Sequence, residues 1–374
     1  MAKLTQTKNS FKVIGKVTRI DKDGAFKEEV MQTQGSKREG ETYRSLRFGV
    51  KTSETNEITV SMFDYEPTEV FMWNSEKKKA DKDYKGDRIP FGTWEEQQDE
   101  LREQGYAVLQ TRVGLTYGED GKVQSKGLPS FVASQEIYNN LHNGDSVVVE
   151  GEIRYSKYKN RNDEMVEQKN YTIKKVFKLK DAVDFQAEDF EEVTYFEQEM
   201  VYVDIDIDKK EGKAYVTGRT IDFMENFHDT QMIVKFKDDE GNNDAGMVKL
   251  ASTLKDKVKF GDVITVYGDT LNRVIIEEVD DDESDKDDLF ADFGGKSKPK
   301  HAQKFTSRTY VTEMQIHGVD GWEKGVYTED DFVKNDLIDD NKGMDEFGGK
   351  TKKKGANPFD TDGQIEISDD DLPF

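Results

Sequence analysis

The chain has 374 residues and carries 55 Lys and Arg against 78 Asp and Glu, a net charge of -23. It has no cysteine and four histidines, which excludes disulfides, thiolate-bound metal, a thiol nucleophile and a His-rich metal site. Hydrophobic residues make up 34%, a low share for a fully packed chain, so part of it is expected to stay unpacked.

A chain of this length holds about two or three domains. It lacks a run of about 18 apolar residues, so no membrane span is expected. The segment Met1 to Gln6 lacks the apolar core of a signal peptide. The expected location is cytoplasmic. Charge is unevenly placed. Residues 1–180 carry 31 basic and 29 acidic side chains, whereas residues 181–279 carry 11 and 24. An acidic whole-chain charge therefore does not exclude a basic patch in the first half.

In chain order, Ser10 to Ile20 alternates, with Phe11, Val13 and Val17 on one side. In Arg44 to Lys51, Leu46, Phe48 and Val50 share one face, and Tyr43, Arg47 and Lys51 share the other. Ile58, Val60 and Met62 repeat the pattern, with Thr59, Ser61 and Phe63 opposite. Val147, Val149, Gly151 and Ile153 oppose Glu150, Glu152 and Arg154, and Tyr171 to Leu179 alternates again. Such alternation predicts half-buried strands. Ile137, Tyr138 and Leu141 predict a helix over 134–141, and a polar helix is predicted over 93–104.

An internal repeat stands out. Gly144-Asp145-Ser146-Val147-Val148-Val149-Glu150-Gly151 matches Gly261-Asp262-Val263-Ile264-Thr265-Val266-Tyr267-Gly268. At that offset Ile137 aligns with Leu254 and Leu141 with Val258, so the preceding helix repeats as well. Each copy follows a meander of strands. Three strands, a helix and two strands is the order of an OB-fold, a Greek-key barrel. The expected fold class is all-β, with two OB-fold domains followed by a long acidic disordered tail. The first spans 1–185 with an insertion at about 64–130, and the compact second spans 195–280. The tail covers 281–374, because Asp280 to Asp288 is nearly all acidic and little apolar surface follows to offset ordering entropy. Within it, 305–333 has Tyr310, Val311, Ile316, Trp322 and Phe332, which fit a hairpin or a docking segment.

Several motifs carry no chemistry. Gly294-Gly295-Lys296-Ser297 and Gly348-Gly349-Lys350-Thr351 lack the leading glycine, strand and helix of a phosphate loop. Asp204, Asp206 and Asp208 share a strand face but miss calcium-loop spacing, with Lys209 where glycine is needed. Val319-Asp320-Gly321 lacks the lysine a nucleotidyltransferase would need. The sequence offers no catalytic constellation, no metal site and no cofactor.

The first barrel offers a nucleic-acid face. Tyr43, Arg47 and Lys51 project from one strand and Phe63 from the next, and Tyr155, Lys157, Tyr158, Lys159 and Arg161 follow the Gly151 strand. Lys174, Lys178 and Lys180 face outward on the last strand. Unpaired bases stack on rings at about 1–3 kcal/mol each while cations neutralise phosphates, with little sequence preference. The second barrel is acidic and reads as a scaffold or protein-contact module.

The C-terminus, Ile367-Ser368-Asp369-Asp370-Asp371-Leu372-Pro373-Phe374, resembles the acidic tip of bacterial single-stranded DNA-binding proteins. Asn357-Pro358-Phe359-Asp360 and Gly363 resemble the approach to that tip in the Gram-positive type. The resemblance implies a protein that coats single-stranded DNA in replication, recombination and repair. It also implies that the tip 367–374 recruits enzymes of those processes, through Asp369, Asp370, Asp371, Leu372, Pro373 and Phe374. Phe374 would fill an apolar pocket while the aspartates meet a basic rim. The usual member has one barrel and forms a tetramer. Doubling of the barrel suggests a phage or mobile-element form acting in the host cytoplasm. It leaves open whether a monomer or a homo-oligomer does the work. Two rival readings stand beside this one: an adaptor that captures host enzymes by mimicking the tip, with weak DNA binding, and a nuclease using Asp204, Asp206 and Asp208.

Overall fold

A computed structural model describes residues 3–32, 38–119, 121–159, 165–238, 240–278 and 306–332. The first half runs β1 (Asn9–Thr18), β2 (Phe26–Val30), β3 (Thr42–Lys51), β4 (Glu57–Tyr65), β5 (Glu69–Asn74), α1 (Ser75–Ala80), β6 (Asp87–Pro90), α2 (Phe91–Glu103), β7 (Tyr106–Ala107), β8 (Thr111–Tyr117), β9 (Val123–Leu128), α3 (Ser130–Asn140), β10 (Ser146–Lys159) and β11 (Met165–Lys178). The second runs β12 (Val193–Asp208), β13 (Lys213–Ile221), β14 (Phe227–Lys235), α4 (Ala245–Lys257), β15 (Val263–Glu278) and β16 (Thr306–Glu323). The chain is mostly β, as its alternating runs predict.

Five strands of the first half pair in a closed cycle. β1 pairs with β3, β3 with β4, β4 in parallel with β11, β11 with β10, and β10 with β1. The second half repeats the cycle: β12 with β13, β13 with β14, β14 in parallel with β16, β16 with β15, and β15 with β12. The alternating apolar residues fill these rings. Leu46, Phe48, Val50, Ile58, Val60 and Met62 are all buried in the first, and Val216, Met232, Val234, Val266 and Ile316 in the second. Each such side chain contributes roughly 1.5–3 kcal/mol on burial.

The repeated Gly-Asp turn has one job in both halves. Gly144 and Gly261 adopt φ of 92° and 86°, the left-handed region that glycine enters without a Cβ penalty. Asp145 Oδ2 then accepts from the His142 N–H at 3.0 Å, and Asp262 Oδ2 from the Lys259 N–H at 3.1 Å. The turn feeds β10 and β15 into their rings, behind helices whose Ile137 and Leu254 are buried.

β1 also pairs antiparallel with β12. The two rings are thereby joined in one 13-stranded sheet and share one continuous apolar cluster. Between β4 and α3, the insertion forms a small sheet ordered β6-β5-β7 with α2 packed against it, and β8 pairs in parallel with β11.

One boundary differs from the sequence expectation. Residues 306–323, assigned there to the tail, form β16, and residues 327–332 place Tyr327 and Phe332 in a buried cluster with Leu4, Val201 and Ile221. β15 needs a hydrogen-bonded neighbour on its free edge, and β16 supplies it along the whole length of β15. The second unit therefore reaches past 280 to residue 332. The acidic stretch from Asp280 and the tip Asp369 to Phe374 lie outside the described residues. No helix among the described residues is long and apolar enough to cross a membrane.

Candidate nucleic-acid interface

The outward face of β3 and β4 is a ladder of five pairs. Tyr43 stands opposite Tyr65, Ser45 opposite Phe63, Arg47 opposite Ser61, Gly49 opposite Thr59, and Lys51 opposite Glu57. Burial of the intervening residues fixes which side chains face out. Rings gather at one end. Tyr43 and Phe63 lie 5.2 Å apart, Phe63 and Tyr65 meet edge to face at 5.3 Å, and the Arg38 guanidinium lies 4.7 Å from the Tyr65 ring. The Tyr43 hydroxyl donates to Glu29 Oε2 at 2.6 Å. Burial and that carboxylate push its phenol up to about 12, so the ring stays neutral.

Polar and cationic groups gather at the other end. Arg47 is exposed. Lys51 is held by Glu54 at 2.7 Å, and with Lys16 it lies over the Phe185 ring, at 5.7 and 4.9 Å. The structure thus brings Tyr43, Arg47, Lys51 and Phe63 onto one surface. Tyr65 belongs to the same cluster and was missed by the sequence reading. Its position two residues after Phe63 was the available signal.

Tyr155 does not join that surface. Its hydroxyl points at the second ring, donating to Gln198 Oε1 at 3.2 Å and lying 3.8 Å from Met314 Sδ. Burial raises its phenol strongly. The reason lies in the strand period, since Tyr155 shares a face with buried Ile153. Opposite it in register, Lys169 is pushed down to about 8 by burial. Lys157 is half-buried on the same hairpin. Tyr158 and Lys159 lie in β10, but their side chains, and all of Arg161, fall outside the described residues.

The back of the shared sheet is charge-balanced. Lys12 and Lys175 approach Glu150 at 3.5 and 3.3 Å, Lys174 approaches Glu152 at 3.5 Å, and Lys178 meets Asp145 at 2.8 Å. Of the lysine face that the sequence suggested, Lys174 and Lys178 are thus paired with carboxylates, whereas Lys180 is exposed. The equivalent face of the second ring, on β13 and β14, pairs Lys213 with Lys235, Tyr215 with Ile233, Thr217 with Gln231, Arg219 with Asp229 and Ile221 with Phe227. Asp204, Asp206 and Asp208 stand opposite Thr217, Tyr215 and Lys213, and Asp208 accepts from the N–H groups of Lys210 and Glu211 in the following turn. Arg219 is bound bidentately by Asp229 at 2.7 and 2.9 Å. Among the described residues, no group of three or more His, Asp and Glu is placed to hold a metal ion.

Against known proteins, residues 79–347 match the YorF family, and the chain belongs to that family. No curated protein matches it. Among solved structures it is similar to a deletion variant of the single-stranded DNA-binding protein from Thermus aquaticus. That alignment has 12% identity and a TM-score of 0.32, and covers 72% of this chain and 89% of the other. Similarity at that level says nothing of this chain's activity.

Proposed function

We propose that this protein binds single-stranded DNA without sequence preference, using the outward face of β3 and β4. In this reading both five-stranded rings are OB-folds, and the first carries the DNA. The observation that supports it is the ladder itself: Tyr43 and Phe63 at stacking distance beside exposed Arg47 on one open surface. Bases stack on the rings, and the backbone follows the cations. The acidic second ring serves as scaffold, and the tip Asp369 to Phe374 recruits replication, recombination and repair enzymes. No reaction is catalysed, and the setting is the cytoplasm of a host cell carrying a virus or mobile element.

Alanine at Tyr43 and at Phe63 tests the reading. Each substitution should weaken binding to oligo(dT) by about 1–3 kcal/mol, roughly five- to 150-fold, at every salt concentration. Unchanged affinity in both variants, with the fold intact by circular dichroism, overturns it. One observation favours the adaptor reading: Lys12, Lys174, Lys175 and Lys178 all have carboxylate partners. An adaptor would bind oligo(dT) no better than duplex.

A further inference from the structure

β1 stops at Thr18 because the backbone turns sharply at the next residue. Arg19 has φ of 62°, a left-handed conformation uncommon for any residue but glycine. Two tight turns follow, with the Lys22 N–H donating to the Arg19 carbonyl at 3.4 Å and the Ala25 N–H to the Lys22 carbonyl at 3.0 Å. Gly24, at φ 80°, completes the reversal. The result is a cleft of about 230 Å³ on which Arg19 and Lys22, from the turn, converge with Arg47 from β3.

The Arg19 side chain is preset. Its Nη2 meets Glu57 Oε1 at 2.6 Å and donates to Thr59 Oγ1 at 2.8 Å. It lies across Gly49, where a Cβ would come within 2.9 Å of Nη2. Arg19 Nε and Thr18 Oγ1 are buried with no hydrogen-bond partner. Orphaned buried donors are rare in folded proteins and ask for an acceptor. Lys22 and Arg47 are exposed and have no carboxylate partner among the described residues. The acids at the cleft are Asp23 and Glu57, so one positive charge is left over. A backbone phosphodiester carries one negative charge.

Position supplies the rest. Arg47 is two residues from Ser45, which pairs with Phe63, so the cleft begins roughly 7 Å along the strand from the ring platform. The geometry points to a phosphate seat: Arg19, Lys22 and Arg47 hold one backbone phosphate of the strand whose base stacks on Phe63. This assignment rests on the DNA-binding reading above, and it gives the bound strand a defined path across β3 and β4.

The test uses the full chain and oligo(dT) over a range of sodium chloride concentrations. The double variant Lys22→Ala, Arg47→Ala should flatten the slope of log K against log salt by about 0.7, the value for one phosphate contact on a single strand. Phe63→Ala should lower affinity and leave the slope alone. An unchanged slope in a double variant that still binds DNA overturns the seat and leaves the DNA reading standing. Failure of the parent to bind oligo(dT) overturns the DNA reading itself. Inorganic phosphate alone, added without DNA, should raise the parent's melting temperature no more than the double variant's. A parent-specific rise would assign the cleft to free phosphate and overturn the backbone assignment.

Discussion

Phe11 and Phe196 stand directly opposite each other where β1 and β12 pair antiparallel. Each faces a glycine in its next neighbour strand, Phe11 facing Gly151 and Phe196 facing Gly268. Those glycines are equivalent positions of the repeat. Equivalent residues meeting across an antiparallel pair is the geometry of a two-fold axis. One chain thus holds two halves arranged as the subunits of an isologous dimer would be.

Both glycines are required by the close approach of the next strand. A Cβ on Gly151 would sit 1.9 Å from the Thr172 carbonyl oxygen, and one on Gly268 would sit 1.8 Å from that of Gln315. Gly151→Ala and Gly268→Ala should each lower stability by about 1–3 kcal/mol. Urea unfolding measures this, and a loss below about 0.5 kcal/mol in both would contradict the packing described.

Tyr155 is a joint between the rings. Tyr155→Phe removes the hydroxyl that donates to Gln198 and should cost about 1 kcal/mol of stability. Its affinity for single-stranded DNA should match the parent's. A stable variant with weakened DNA binding would return Tyr155 to the DNA surface.

Asp64 supplies a pH signature. Burial raises its carboxyl to about 6, against the opposing hydrogen bonds from the Tyr65 N–H and Gln110. The folded state therefore holds this proton more tightly than the unfolded state, where the ordinary value is 3.8. Asp64 thus makes stability fall as pH rises from about 4 to about 6, with no further change above that. Asp64→Asn should remove this slope and gain on the order of 2–3 kcal/mol at neutral pH. Urea titrations from about pH 4 to 7.5 compare the two proteins. Identical pH profiles would contradict the assignment.

Deleting Asp369 to Phe374 should leave DNA affinity intact or tighter, because acidic side chains compete with phosphate for the same cations. The same deletion should abolish capture of a purified enzyme that recognises an acidic terminal peptide. Loss of DNA binding in this truncation would contradict the division of labour.

Much of the architecture is written in local patterns. Leu46, Phe48 and Val50 announce a strand by period alone, and the Gly-Asp turns announce the repeat. Period also fixed the outward set Tyr43, Arg47 and Phe63. What stayed hidden depends on long-range partners. β16 belongs to the second ring although the acidic stretch from Asp280 separates it from β15, and composition averages conceal such a return. Tyr155 follows Ile153 on the inward face, but its destination depends on where β12 docks. Arg19 and Lys22 reach the site only because a left-handed turn after β1 folds them toward β3, which no periodicity records.

The role proposed for the β3–β4 face is to bind single strands. Its most direct test is fluorescence anisotropy of a labelled oligo(dT) of about 35 nucleotides, beside a duplex of equal length, at about 50 and 200 mM salt. If about five cations meet phosphates, the slope should be near -3.5 and affinity should fall roughly a hundredfold between the two conditions. The single strand should still bind at the higher salt, through stacking, and the duplex should not. Absence of binding at low salt, or equal affinity for duplex, would contradict that role.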